Sequence, residues 1–264
     1  MADRLRVACV QLTSRDDKAA NLETAERLVA RAAAVGADVV VLPEKWNGIG
    51  GAATLHALAE PLDGGESVEA MSRWARRHGV ALVGGSITER REGRDKLSNT
   101  CCVFAADGSL AAVYRKIHLF DAQGFGESAY IKPGPSTEPV VFEAGGAVFG
   151  LMTCYDLRFP ELARSLADAG AQVLLVCSSW VPGTHKTEQW LALNAARAIE
   201  NSVYVAGVCQ APPVSVGRSL LVDPMGYVEA DLGLEPGVRS VEVSLRTVAR
   251  VREQFPMFRQ RRLG

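Results

Sequence analysis

The sequence predicts a layered α/β protein, on three observations. Short Val, Ile and Leu runs alternate with longer amphipathic stretches along the whole chain. Two distant segments, Val35-Gly36-Ala37-Asp38-Val39-Val40-Val41 and Ala169-Gly170-Ala171-Gln172-Val173-Leu174-Leu175, repeat one pattern of helix end, glycine cap and buried strand, as expected of two similar halves packed sheet on sheet with helices outside. No linker rich in Pro, Gly or Ser divides the 264 residues, so a single domain over 1–264 is expected.

Taken in order, the apolar run at 5–11 reads as the first strand. A helix follows over 18–34, where Leu22, Ala25, Val29 and Ala32 recur at the helical period and Gly36 supplies the stop. Further strands are expected at 37–42, 80–87, 98–105, 110–115, 148–153, 173–178, 203–210, 218–222, 227–230 and 238–243, with helices at 66–77, 160–169, 187–201 and 244–254. Between 118 and 137 lies a glycine-punctuated stretch interrupted by aromatics. Loops of that length inside a compact domain are usually functional.

Composition excludes several classes. Twenty-nine basic residues against thirty acidic ones leave no global positive balance for nucleic acid, and the basic run Phe258-Arg259-Gln260-Arg261-Arg262 reads as a solvated tail or subunit contact. The chain begins Met-Ala-Asp-Arg and enters a strand at once, without a signal-peptide pattern, and no apolar run is long enough to span a bilayer. Five of the six cysteines (Cys9, Cys101, Cys102, Cys154, Cys177, Cys209) sit in or beside apolar, β-branched runs, as buried free thiols do. A reducing cytoplasm is the compartment this implies, and there an activated cysteine points to catalysis.

Strand ends are where α/β proteins place reacting groups, because the carboxyl edge of the sheet opens into a crevice. Three predicted ends carry unusual residues. Pro43-Glu44-Lys45-Trp46 sets a carboxylate after one strand, Lys116 follows Val113-Tyr114-Arg115, and Cys154 closes the run 148–153 before Tyr155-Asp156-Leu157-Arg158-Phe159-Pro160-Glu161 enters a helix. Taken singly, Glu44 reads as a solvated loop acid and Lys116 as a snorkelling side chain. A thiol on a strand-to-helix turn, near backbone N–H groups at a positive helix terminus, is expected to favour the thiolate. Cys177 and Cys209 have no acid or cation in register, and Arg158 reads as an ion-pair partner of Asp156 or Glu161.

Leu42-Pro43-Glu44, Tyr114-Arg115-Lys116-Ile117-His118-Leu119-Phe120 and Cys154-Tyr155-Asp156-Leu157-Arg158-Phe159-Pro160-Glu161 resemble, in order and rough spacing, the three signature blocks of the nitrilase (carbon-nitrogen hydrolase) superfamily. Arg197-Ala198-Ile199-Glu200-Asn201, Val222-Asp223-Pro224-Met225-Gly226 and the closing Arg259-Gln260-Arg261-Arg262 extend the resemblance over essentially the whole chain. It implies a four-layer α-β-β-α sandwich of the nitrilase type and a Glu-Lys-Cys triad at Glu44, Lys116 and Cys154, working without metal or organic cofactor through a thioester. Phe125-Gly126-Glu127-Ser128 is similar to the segment that carries a second active-site glutamate, so Glu127 is expected to position the triad. Tyr155, through its backbone N–H, and Trp180 are the expected substrate contacts, with Trp46 and the loop 118–137 also shaping the pocket. The blocks are most similar to the omega-amidase and deaminated-glutathione-amidase group, which implies a small, acidic omega-amide substrate. Pairing through the helices at 160–169 and 187–201 would give a homodimer or higher homo-oligomer.

Competing signatures fail on context. Gly124-Phe125-Gly126-Glu127-Ser128-Ala129 is spelled like a dinucleotide loop, but Lys132-Pro133-Gly134-Pro135 follows instead of a helix. His56, His78, His118 and His185 lack metal-ligand spacing, and neither a Cys-x-x-Cys pair nor a Gly-x-Ser-x-Gly elbow exists. Hydrolysis of nitriles or N-carbamoyl compounds through the same thioester, and a non-catalytic interaction protein on the same fold, remain as alternatives.

Overall fold

The computed structural model describes residues 3–263. Thirteen strands and seven α-helices follow the chain as β1 (Arg4–Gln11), α1 (Lys18–Ala34), β2 (Val39–Val41), α2 (Ala52–Leu58), α3 (Glu66–His78), β3 (Ala81–Val83), β4 (Ile87–Glu89), β5 (Ser98–Phe104), β6 (Leu110–Arg115), β7 (Val141–Ala144), β8 (Ala147–Thr153), α4 (Pro160–Asp168), β9 (Val173–Ser178), α5 (Lys186–Asn201), β10 (Tyr204–Cys209), β11 (Leu220–Val222), β12 (Val228–Asp231), β13 (Gly237–Ser244), α6 (Leu245–Gln254) and α7 (Met257–Gln260). One sheet has the order β13-β1-β2-β3-β5-β4, with β6 also pairing β5; the other has the order β12-β11-β10-β9-β8-β7.

Each sheet is built on a parallel trio, β1-β2-β3 in the first and β8-β9-β10 in the second. The two repeated segments lead into the middle strands, β2 and β9, and both cap glycines lie in the left-handed region, Gly36 at φ 79° and Gly170 at φ 96°. Strands buried on both faces need no polar alternation, which is why β2 reads Val-Val-Val and β9 Val-Leu-Leu-Val. Val7, Cys9, Val39, Val41 and Val83 face the apolar layer shared with the second sheet. Their neighbours Ala8, Val10, Val40, Leu42 and Leu82 pack instead with Leu28 and Val29 of α1 and Met71 and Trp74 of α3. Helices α4 and α5 contact β8, β10 and β11 of the second sheet, completing four layers. Among the described residues no helix is long and apolar enough to cross a membrane.

One expected strand is two. The run 80–87 breaks at Gly84-Gly85-Ser86, because Gly85 (φ 56°) passes so close to the neighbouring chain that a Cβ there would stand 1.9 Å from the Pro43 carbonyl oxygen. Three short elements, α2, β7 and α7, were not anticipated; each is seven residues or fewer.

Candidate active site

The carboxyl ends of β2, β6, β8 and β9 converge on one cavity of about 130 Å³, whose lining includes Glu44, Lys45, Lys116, Glu127, Tyr130 and Cys154. Cys154 follows β8 and starts a single 3₁₀ turn (Cys154–Arg158) in the left-handed region, φ 50°. A non-glycine residue held there is strained and must be fixed by its surroundings. Asp156 fixes it. This fully buried carboxylate accepts hydrogen bonds from the Thr153 amide (2.8 Å), the Tyr114 hydroxyl (2.6 Å) and the His118 amide (3.2 Å), and pairs with His118 Nδ1 at 2.8 Å. His118 in turn stacks on Phe159, ring centroids 3.7 Å apart. The turn bearing the thiol is thus tied to β6 and to the segment just after Lys116.

Lys116 lies between two carboxylates, its Nζ 3.3 Å from Glu44 Oε1 and 2.8 Å from Glu127 Oε2. Asn99, on β5, donates to both acids, at 2.8 Å to Glu44 and 3.2 Å to Glu127. The second Glu44 oxygen accepts from the Ser179 amide (2.7 Å), at the end of β9, and Glu127 Oε2 also accepts from the Phe120 amide (2.8 Å). Lys45 stands 3.5 Å from Glu127 Oε1. Two lysines and two glutamates therefore share one buried cluster with balanced formal charge, in which each charge has an opposite partner.

Burial alone would lower the pKa of Lys116, but the charges of Glu44 and then Glu127 outweigh it and hold the ammonium well above its usual value. For Glu127, burial pushes upward, yet Lys116 and Lys45 bring the carboxyl down from 4.5 to about 2. Cys154 behaves against expectation. Burial first, and the Glu44 charge second, raise its thiol well above the ordinary value, with Lys116 only partly opposing them. One short 3₁₀ turn is too weak a dipole to offset desolvation beside a carboxylate, so the resting residue is a thiol rather than a thiolate.

Two other expectations also change. Trp46 does not line the cavity: it is fully buried on the outer face of the first sheet, donates its indole N–H to the Gly84 carbonyl at 2.7 Å and packs against Trp74. Arg158 pairs with neither Asp156 nor Glu161; it donates to Gln189 and its guanidinium sits 5.0 Å from the Trp180 ring centroid. Tyr155 and Trp180 line a narrow extension of the cavity that also touches Cys154. The ring of Tyr155 packs edge-on against Phe120, centroids 5.1 Å apart.

Asn99, Lys45 and Ser179 escaped sequence reading. Only Asn99 carried a signal, an amide inside the otherwise strand-forming run Ser98-Asn99-Thr100-Cys101-Cys102-Val103, where a buried polar side chain requires partners.

Known proteins resemble this chain in both sequence and fold. The sequence profile described as carbon-nitrogen hydrolase matches residues 6–253. Omega-amidase NIT2 of Danio rerio is 40% identical over 269 residues, covering 98% of this chain and 95% of that protein, and omega-amidase NIT2 of Homo sapiens is 38% identical over 267 residues, covering 97% and 95%. Among solved structures, Saccharomyces cerevisiae Nit3, described as a nitrilase-superfamily member, superposes with a TM-score of 0.90 at 32% identity, covering 100% of this chain and 98% of that one. An amidase mutant from Nesterenkonia sp. AN1, in which acrylamide has added to the active-site cysteine, superposes at 0.81 with 28% identity, covering 96% and 99%.

Proposed function

The chain belongs to the carbon-nitrogen hydrolase family, and from that premise we propose that it is a cysteine-dependent amidase, cleaving the carboxamide of a small, acidic omega-amide to a carboxylate and ammonia. Likeness to amidases supports a hydrolase acting on carbon-nitrogen bonds. The observation that carries the finer reading is Lys116 held at 3.3 Å from Glu44 and 2.8 Å from Glu127 beside the Cys154 thiol in one cavity.

In the proposed reaction Glu44 takes the Cys154 proton as sulfur attacks the amide carbon. Because the thiol starts protonated beside an anion, the proton transfer accompanies the attack instead of preceding it. Lys116 Nζ and the Tyr155 backbone N–H receive the developing oxyanion; one such donor typically contributes about 2.7–4 kcal/mol to a transition state. Glu44 then returns the proton to nitrogen, the C–N bond breaks, ammonia leaves and a thioester remains on Cys154. Water, deprotonated by Glu44, attacks the thioester, and the carboxylic acid departs with the thiol restored. Glu127 keeps Lys116 in place and Asn99 spaces the two acids. The electrostatic logic is simple: two neighbouring carboxylates can both stay ionised only with cations between them.

The test is intact mass spectrometry after incubation with a panel of omega-amides, nitriles and N-carbamoyl compounds, alongside ammonia release. An acyl adduct on Cys154 with amides, and its loss together with ammonia release in Cys154→Ala, is expected. Adducts from nitriles or carbamoyl compounds alone would replace the amidase reading with one of the alternatives, and no adduct at all would favour a non-catalytic role.

A homodimer is proposed as well. Exposed Ile199 on α5 lies under Gly226, whose neighbours Met225 and Tyr227 are exposed too, so one apolar patch joins the α5 end to the turn between β11 and β12.

A further inference from the structure

We propose that Lys45 is the counter-cation of the site: by holding one oxygen of Glu127 it frees Lys116 to serve Glu44 and then the oxyanion, and so acts as a positioning residue for the amide reaction. The role rests on the amidase reading above and adds a group outside the triad and Glu127.

Lys45 enters the cavity from a strained turn. Its φ of 53° lies in the left-handed region, where a lysine persists only if its surroundings fix it. Both sheets do so. The Lys45 amide donates to the Ser86 hydroxyl (3.1 Å), in the break between β3 and β4, and the fully buried Gln210 side chain, just past β10, donates to the carbonyls of Glu44 (2.8 Å) and Lys45 (3.3 Å). Glu44 and Lys45 therefore both line the cavity, while Trp46 goes to the outer face of the first sheet.

The Lys45 side chain is 13% exposed and ends 3.5 Å from Glu127 Oε1, whereas Lys116 holds Oε2 of the same carboxylate at 2.8 Å. Glu127 thus bridges two ammonium groups, one on each oxygen. The other titratable groups lining the cavity are Glu44, Tyr130 and Cys154. Burial works to lower the Lys45 pKa, but the charges of Glu127 and then Glu44 prevail and raise it, so it stays an ammonium.

The charges balance only with this second lysine. An ammonium has three N–H donors; Lys116 commits one each to Glu44 and Glu127, which leaves one for an oxyanion. With Lys45 present the two cations and two anions cancel at rest. They still cancel when Glu44 has taken the thiol proton and the negative charge has moved to the substrate oxygen. Without Lys45 the same buried site carries a net negative charge, and two carboxylates sharing one cation favour protonation of one of them. The base would then be occupied before attack.

The test compares the wild type with Lys45→Met, Lys45→Arg, Glu127→Gln and the Lys45→Met/Glu127→Gln double variant, each checked for folding by circular dichroism, with glutaramic acid as the amide. Lys45→Gln replaces the methionine variant if that chain does not fold. Lys45→Met should raise the acid limb of the kcat profile by about one pH unit, so that kcat on that limb falls about tenfold with KM little changed, and Lys45→Arg should restore it. In the Glu127→Gln background the same substitution should cost nothing further, because the charge it balances is gone. Alkylation of Cys154 by iodoacetamide at about pH 8, read by mass spectrometry, reports the charge balance without turnover. Glu127→Gln should react fastest, the wild type and the double variant alike, and Lys45→Met about tenfold slower than the wild type. A loss in KM alone would make Lys45 a substrate contact and overturn the proposal, as would additive losses in the double variant or an alkylation order unrelated to charge; each leaves the amidase reading standing. Absence of ammonia from any amide ends that reading, while the expected alkylation order would still establish Lys45 as the counter-cation.

Discussion

Replacing Glu127 by glutamine separates a catalytic scaffold from an incidental buried ion pair. Its carboxylate is 5% exposed and takes four donors, Lys116 at 2.8 Å, the Phe120 amide at 2.8 Å, Asn99 at 3.2 Å and Lys45 at 3.5 Å. At about 1.4 kcal/mol per pH unit, its descent from 4.5 to about 2 represents roughly 3 kcal/mol of preference for the charged form. Glutamine keeps the shape but removes the charge, and its amide nitrogen must face at least one donor. If that preference is what holds Lys116 on the oxyanion path, kcat should fall by about a hundredfold, with KM little changed. The assay is steady-state ammonia release under saturating amide, with circular dichroism and Tm to show that the variant is folded. A folded Glu127→Gln enzyme with wild-type kcat would refute the positioning role.

Other predictions follow from the same geometry. Asp156→Asn cannot accept from all its donors, so at least one buried N–H loses its partner; unfolding in urea should show a loss of about 1–3 kcal/mol, and kcat should fall as the strained Cys154 turn relaxes. Gly85→Ala would drive a Cβ into the Pro43 carbonyl at a left-handed φ, and the same experiment should register a cost of at least about 2 kcal/mol together with lost activity from the displaced Glu44. Glu127 and Glu89 both have folded pKa values below the ordinary carboxylate value of 4.5, Glu89 because its hydrogen bonds to Arg115 and Thr100 outweigh the upward push of burial. The stabilisation they provide is complete above that value and is lost as pH falls through their folded values, near about 2 for Glu127, so urea midpoints should drop across this window and more gently in Glu127→Gln. Ile199→Asp should convert the proposed dimer to a monomer by light scattering, and an unchanged mass would argue for another interface.

Legibility in the sequence followed burial and length. Most strands of the parallel trios were readable because both their faces are apolar, so β2, β8, β9 and β10 announce themselves as hydrophobic runs. The break at Gly84-Gly85 was hidden because nothing local forces it; the cause is the carbonyl of Pro43, far from Gly85 in the sequence. Glu44, Lys116, Glu127 and Cys154 were found through motif order, and the structure brings them to one cavity. Trp46 misled because adjacency to Glu44 in sequence suggested the pocket, whereas the left-handed Lys45 (φ 53°) turns the tryptophan to the opposite side.

The reactive set is divided between two sheets: Glu44, Asn99 and Lys116 come from the first, Cys154 and the Ser179 amide from the second. On the proposed mechanism neither half alone is a competent reagent. In a nascent or nicked chain the thiol would lose the burial and the Glu44 charge that raise its pKa, but also the base and the ammonium, so on the proposed mechanism amide turnover is withheld until the sheets have docked. Turnover therefore doubles as an assembly gauge, and it should vanish at denaturant levels that merely part the layers, ahead of any loss of helical signal.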